Sequence, residues 1–451
     1  MIYMLLVINF IICLISSSEE LNSNRIWSLQ ECINQAYNCN VSIEKLNNEE
    51  KLAKVSIAEA KSEFIPSISA GANYSLSSGR VLDQTTYSFL DNSTVGSSSI
   101  SITGTAILFS GLQRYYRVKQ TQKEYDASVM NKLSMRKEVY KNVLLAFYNV
   151  LCADKNIESA HLIANLITEQ LLIIEAQVDA GIKTEADLLQ IRSQLCSAQN
   201  DIILANNAKK MALLELGQLM NISDYSLIRL QNDDENDLQQ VYNTDANRYD
   251  ISFHNLPEYR TEELRVESAK YAVKVAKSSY YPTLLLSGSY GSNYSSARQK
   301  VLILGNDTYQ NIKYPPFEQW ADNTNAYITL TLQIPIFNGM RVKNNVKRAG
   351  YAVKDAYHTM YLIRNKVVKE YEQIRGDYET AYQRYISATE QLKYTSEVLR
   401  QIKEQYEYGK CDFITWNIAI VEYAKAQYEV NNTKYALISS RKLLQTYYNI
   451  N

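Results

Sequence analysis

A seam of twelve positions, written twice, constrains this chain more than any other feature. Val367, Tyr371, Ile374, Tyr378, Ala381, Tyr385, Ala388, Leu392, Thr395, Leu399, Ile402 and Tyr406 follow one another at alternating steps of four and three residues, the spacing of a coiled-coil stripe. Shifted back by 228 residues, the same positions become Val139, Val143, Ala146, Val150, Ala153, Ile157, Ala160, Ala164, Ile167, Leu171, Ile174 and Val178, all apolar. The chain is an internal duplication.

Punctuation around the seams repeats at the same distance. Phe109-Ser110-Gly111 precedes the first and Phe337-Asn338-Gly339 the second, and Gly181 and Gly409 close them. No proline falls between Gly111 and Gly181 or between Gly339 and Gly409. The spacing therefore predicts two long helices, over 111–180 and 339–408, each about 105 Å at 1.5 Å per residue. A compact globular core has no use for such rods, so the function must use their length.

Before each rod the period changes from helical to two. Ile68, Ala70, Ala72, Tyr74 and Leu76 alternate with Ser67, Ser69, Gly71, Asn73 and Ser75, and Ile100, Ile102, Gly104, Ala106 and Leu108 alternate with Ser99, Ser101, Thr103 and Thr105. In the second half Leu284, Leu286, Gly288 and Tyr290 oppose Thr283, Ser287, Ser289 and Gly291, and Ile328, Leu330, Leu332 and Ile334 oppose Tyr327, Thr329, Thr331 and Gln333. Four strands are expected, at about 67–77, 98–109, 283–294 and 326–337. Their length and their charge-free apolar faces suit a membrane wall, wet on one side and facing lipid on the other. The soluble alternative is a pair of small hairpins capping a helical bundle.

Pro66 and Pro282 open the two pairs, where proline ends a helix without breaking a ladder. From Pro66 to Phe109 is 43 residues and from Pro282 to Phe337 is 55, which puts an insertion in the Asn-, Tyr- and Pro-rich stretch 295–325. Four strands cannot close a barrel, and an open edge in lipid leaves backbone groups unpaired at several kcal/mol each. The chain must oligomerise, as eight strands from two copies or twelve from three. The Ser, Thr, Gly, Asn and Gln of the polar face suit a water-filled interior.

The remaining segments complete the rods. Ser28 with Glu31 reads as a capping box opening a helix that runs toward Phe64, with Trp27 as a candidate staple. Return helices are expected over 184–219 and 413–448, and another helix over 256–281. The acidic, aperiodic stretch 221–255 reads as a linker or equatorial belt. The first repeat thus covers 19–220 and the second 256–451. Residues 1–18 read as a signal peptide, with an apolar run from Met4 to Ile15 followed by three serines.

Composition excludes other classes. With 47 basic and 48 acidic residues the formal net charge is −1, so no track for nucleic acid is indicated. The 36 tyrosines suit membrane boundaries and loosely packed helical walls. Six cysteines and three histidines lie without ligand spacing. No P-loop or nucleophile motif is present, so no cofactor, metal or catalytic residue is expected.

The order strand pair, long rod, glycine turn, return helix, done twice, resembles the TolC-type outer-membrane efflux proteins. The residues that carry the likeness are Trp27-Ser28-Leu29-Gln30-Glu31-Cys32-Ile33, Ala60-Lys61-Ser62 through Pro66-Ser67-Ile68, Ala276-Lys277-Ser278 through Pro282-Thr283-Leu284, Ile334-Pro335-Ile336-Phe337-Asn338-Gly339, and Gly181 with Asp187-Leu188-Leu189-Gln190. The resemblance implies a mixed α and β membrane protein, a homotrimer whose twelve-stranded barrel in a Gram-negative outer membrane continues into a helical periplasmic tunnel. It also implies a passive exit duct, driven by an inner-membrane resistance-nodulation-division or ABC pump and joined to it by a periplasmic adaptor. The competing reading from the residues alone is an exported coiled-coil scaffold or adhesin.

At the far end the resemblance implies an aperture formed around Gly181 and Gly409. Asp187 and Tyr406 match positions that link neighbouring coils when the tunnel is closed, so a Tyr406 hydroxyl donating to the Asp187 carboxylate is the expected latch. Where the family often has acidic residues ringing the pore, this chain has Thr415 and Ile418.

Overall fold

A computed structural model describes residues 25–83, 88–232, 253–303 and 309–448. The expected signal peptide, 1–18, and most of the expected linker, 233–252, lie outside the described residues. The described residues divide into two units, one built from those within 51–126 and 263–358 and the other from the remaining ones.

The first unit carries the main sheet, in which β2 (Ser67–Asp83), β3 (Ser88–Ser110), β5 (Thr283–Ser295) and β8 (Asn325–Gln333) are antiparallel in the order β2-β3-β5-β8, whereas the two-residue pair β1 (Ile26–Trp27) and β4 (Arg229–Leu230) belongs to the other unit. Register places Ile102 between Ala70 and Tyr290, and Gly104 between Ile68 and Gly288, which itself faces Ile328. Directly opposed residues share a face, so the apolar alternation of all four strands falls on one side. That side is open: Ile68, Tyr74, Ile102, Tyr290 and Ile328 are all more than half exposed. A soluble hairpin cap would bury such a face, whereas a membrane wall presents it. On the other face, hydroxyls bond across strands, Ser67 Oγ to Thr105 Oγ1 at 2.7 Å and Ser75 Oγ to Ser97 Oγ at 2.8 Å.

Strand ends differ from the expected ones. The first hairpin continues past Ser77 as a ribbon to the pair Asp83 and Ser88. Its outer part lacks apolar alternation and is instead held by the ladder, an Arg80–Asp91 ion pair at 3.1 Å and Arg80 over the Phe89 ring. In the second pair β8 stops at Gln333 instead of reaching 337, because Pro335 has no N–H to donate. Between β5 and β8 lies the insertion, folded as a small hairpin of β6 (Gln299–Ile303) and β7 (Tyr309–Lys313) followed by a short helix, Pro316–Asp322.

The second unit is helical. The chain's other helices are α1 (Leu29–Cys39), α2 (Val41–Ser62), α3 (Gln113–Asp179), α4 (Glu185–Met220), α5 (Pro257–Ser278), the insertion helix α6, α7 (Arg341–Glu407) and α8 (Phe413–Tyr448). Both rods are 67 residues long, and no residue of either seam is exposed. Seam residues Val143, Ala146, Tyr371 and Ile374 join Leu216, Leu437 and Leu444 in one core, and Ile167, Ile174, Tyr406 and Ile191 join Phe413, Trp416 and Ile420 in another.

Instead of one helix from Ser28 toward Phe64, the chain breaks at Asn40, whose ψ is 124°. Its side chain does two jobs that a continuing helix would not allow: Nδ2 donates to the Leu219 carbonyl at 3.0 Å, and Oδ1 accepts from the Ser42 amide at 3.0 Å, capping α2. The capping box at Ser28 and Glu31 is present, with the Ser28 amide donating to Glu31 Oε2 at 2.9 Å.

Candidate functional site

The two tips are built by one device used twice. At the end of α3, Gly181 takes φ 70°, its amide donates to the Val178 carbonyl at 2.9 Å, and the Ile182 amide reaches back to the Gln177 carbonyl at 2.8 Å. At the end of α7, Gly409 takes φ 69°, with its amide on the Tyr406 carbonyl at 2.9 Å and the Lys410 amide on the Gln405 carbonyl at 2.8 Å. These are Schellman closures, and only glycine adopts that left-handed conformation without strain.

Each return helix then starts on a threonine and an aspartate, in exchanged order. Thr184 caps α4: its hydroxyl accepts from the Asp187 amide at 3.3 Å, while Asp187 Oδ2 accepts from the Thr184 amide at 3.1 Å and hydroxyl at 2.9 Å. Asp412 caps α8: its Oδ1 accepts from the Thr415 amide at 2.8 Å and from the Thr415 hydroxyl. The acidic group of the second tip is therefore at 412, in the capping position that Thr184 holds in the first. Thr415 is its partner and Ile418 is exposed. Asp412 was visible in the sequence, since it lies 228 residues after Thr184.

Both carboxyls are held below the ordinary carboxylate range, Asp187 by the Thr184 amide and hydroxyl, Asp412 by the Thr415 hydroxyl and amide. A depressed native pKa means that the capping contribution is complete above the unfolded value, near 3.9, and is lost as pH falls through the native one. Amide exchange at the first turns of α4 and α8 should therefore be flat with pH, after correction for intrinsic rates, down to about 4 and accelerate only in stronger acid.

Tyr406 is buried, at 6% exposure. Its ring stacks on Trp416 with centroids 4.6 Å apart and has Lys183 Nζ 5.9 Å from its centre. The hydroxyl donates to Gln177 Oε1 at 3.0 Å. The expected acceptor, Asp187, is occupied by its own cap and acts on Tyr406 only through its charge, which together with the larger effect of burial pushes the phenol pKa up. Gln177 and Trp416 were not singled out from the sequence, because a partner for Tyr406 on the other repeat is fixed by how the two tips pack. Gly181, Asp187, Tyr406 and Gly409 thus lie in two matched tips, and a bond within the chain ties one tip to the other.

The family model for outer membrane efflux proteins matches residues 32–221 and 252–449. The chain belongs to this family. The curated relative toxin and drug export protein A of Aggregatibacter actinomycetemcomitans is 20% identical over 358 residues, covering 77% of this chain and 72% of the relative. Among solved structures, CusC superposes with a TM-score of 0.77 at 14% identity, over 93% of this chain and 91% of its own. The outer membrane protein VceC of Vibrio cholerae gives 0.74 at 14% identity, over 93% and 95%. As an outer-membrane efflux protein, the chain works in the outer membrane. Its four strands are the family's barrel segment.

Proposed function

We propose that three copies assemble into one exit duct, with a twelve-stranded barrel in the membrane, a twelve-helix tunnel beneath it and an aperture at the six tips. The observation that carries this reading is the four-stranded sheet with β2 and β8 as its edges and an apolar face on which Ile68, Ile102, Tyr290 and Ile328 stand more than half exposed. Twelve strands give a lumen lined by the serine and threonine face, whereas eight would fill it with side chains. Energy and cargo choice would reside in an inner-membrane pump of the resistance-nodulation-division or ABC type, reached through a periplasmic adaptor. The naming of a relative for toxin and drug export supports this class of system.

In this reading the Tyr406–Gln177 bond is the latch of the closed aperture. Each such bond is worth about 1 kcal/mol, little enough for an adaptor to offset. Tyr406→Phe combined with Gln177→Leu should raise single-channel conductance in planar bilayers with trimer assembly unchanged. Conductance equal to that of the unmodified protein would remove the bond from the gate.

A further inference from the structure

We propose that the insertion in the second hairpin is a lipid anchor: its helix α6 lies on the bilayer side of the barrel wall at the outer rim, seating Phe317 and Trp320 in the acyl–headgroup boundary of the outer leaflet. The default for a loop at the outer end of a barrel would be to fold over the pore. Contacts place this one on the other face. Trp320 Nε1 donates to Ser98 Oγ at 3.3 Å, the Trp320 carbonyl accepts from Ser292 Oγ at 2.6 Å, and the Trp320 ring meets Tyr294 edge-on at 6.4 Å. Register pairs Ser98 with Tyr74 and Tyr294, and Ser292 with Ile100. All of these share a face with Ile102 and Tyr290, the apolar side of the wall.

Level agrees with face. The strands enter from the helices at Ser67 and Thr283 and leave the membrane at their other ends. Trp320 meets the sheet just beyond Ile100 and Tyr290, at Ser98 and Ser292, a level where the same face carries Tyr74 and Tyr294. An aromatic girdle belongs at that height, and tyrosine and tryptophan favour it because one end is apolar and the other polar.

The helix is also fixed there. Gln319, fully buried, accepts from the Ser295 amide at 3.0 Å and donates to the Ser295 and Tyr314 carbonyls at 3.0 and 2.9 Å. Lys300 and Glu318 pair at 3.0 Å, Asn323 Nδ2 donates to the Asn293 carbonyl at 2.8 Å, and Tyr314 bonds Asp322. On this anchored helix Phe317 packs edge-on against Trp320 at 5.5 Å yet remains 81% exposed. An apolar ring held rigidly outward, continuous with the lipid-facing wall, fits a hydrocarbon boundary and has no use in water.

This inference rests on the barrel reading, and the test separates the two. The full-length protein carries the photo-crosslinker p-benzoylphenylalanine at position 317, at 102 on the apolar face or at 101 on the polar face, and is irradiated in outer membranes. The anchor predicts a shift by a lipid mass at 317 and at 102, and none at 101. An adduct at 102 without one at 317, or a protein–protein crosslink at 317, overturns the anchor and leaves the barrel standing. Absence of lipid at both positions overturns the barrel reading as well.

Discussion

Ile328→Arg should abolish barrel assembly, while Thr329→Arg, one residue along the same strand, should leave it intact. Ile328 lies in the nine-residue β8, opposite Gly288, and projects from the apolar face with 83% exposure in the single chain. An arginine at the bilayer midplane of a barrel costs about 2–4 kcal/mol, and threefold assembly repeats it in every copy. Thr329 faces Ser287 on the polar side, so an arginine there enters water and alters conductance instead of stability. Heat-modifiable trimer on an unboiled gel reads the first effect and planar-bilayer current the second. Equal assembly of the two variants would mean that the faces have been assigned wrongly.

The second large effect separates two glycines that the sequence presents as equivalents. Gly111 and Gly339 end the strand pairs at matched positions and share φ values of 63° and 62°. A Cβ on Gly111 would stand 2.6 Å from the Ser278 carbonyl oxygen and 2.7 Å from Tyr281 Cβ, whereas a Cβ on Gly339 would meet nothing within 4 Å. Gly339→Ala should therefore cost about 1–2 kcal/mol of left-handed strain. Gly111→Ala adds about 1–3 kcal/mol of overpacking against backbone that cannot swing away. Thermal dissociation of the detergent-solubilised protein should rank the variants in that order, with Gly111→Ala far below the other. The reverse order would contradict the packing around Ser278 and Tyr281.

What could be read in advance followed periodicity. The seams at Val139–Val178 and Val367–Tyr406 and the alternation at Ile68–Leu76 and Ile100–Leu108 repeat one rule over many residues, so each reports its buried or lipid face locally. Features set by a single distant contact were not legible. Asn40 breaks a helix because its amide reaches Leu219, 179 residues away. The Tyr406 hydroxyl finds Gln177 instead of Asp187 because packing of the tips, not spacing along either helix, chooses the acceptor. The ribbon beyond Ser77 lacks apolar alternation and is held instead by its backbone ladder, which pattern reading does not see. The insertion's length showed between Pro282 and Phe337, but its attachment depends on Trp320 meeting Ser98 across 222 residues.

The most direct test of the assembly is the native mass of the protein extracted in mild detergent, combined with single-channel recording of the same preparation. Three chains per particle, with a stable open conductance after reconstitution, is the expected result. A monomer or dimer without channel activity would contradict it, because a single sheet would then have to satisfy its own edges in lipid.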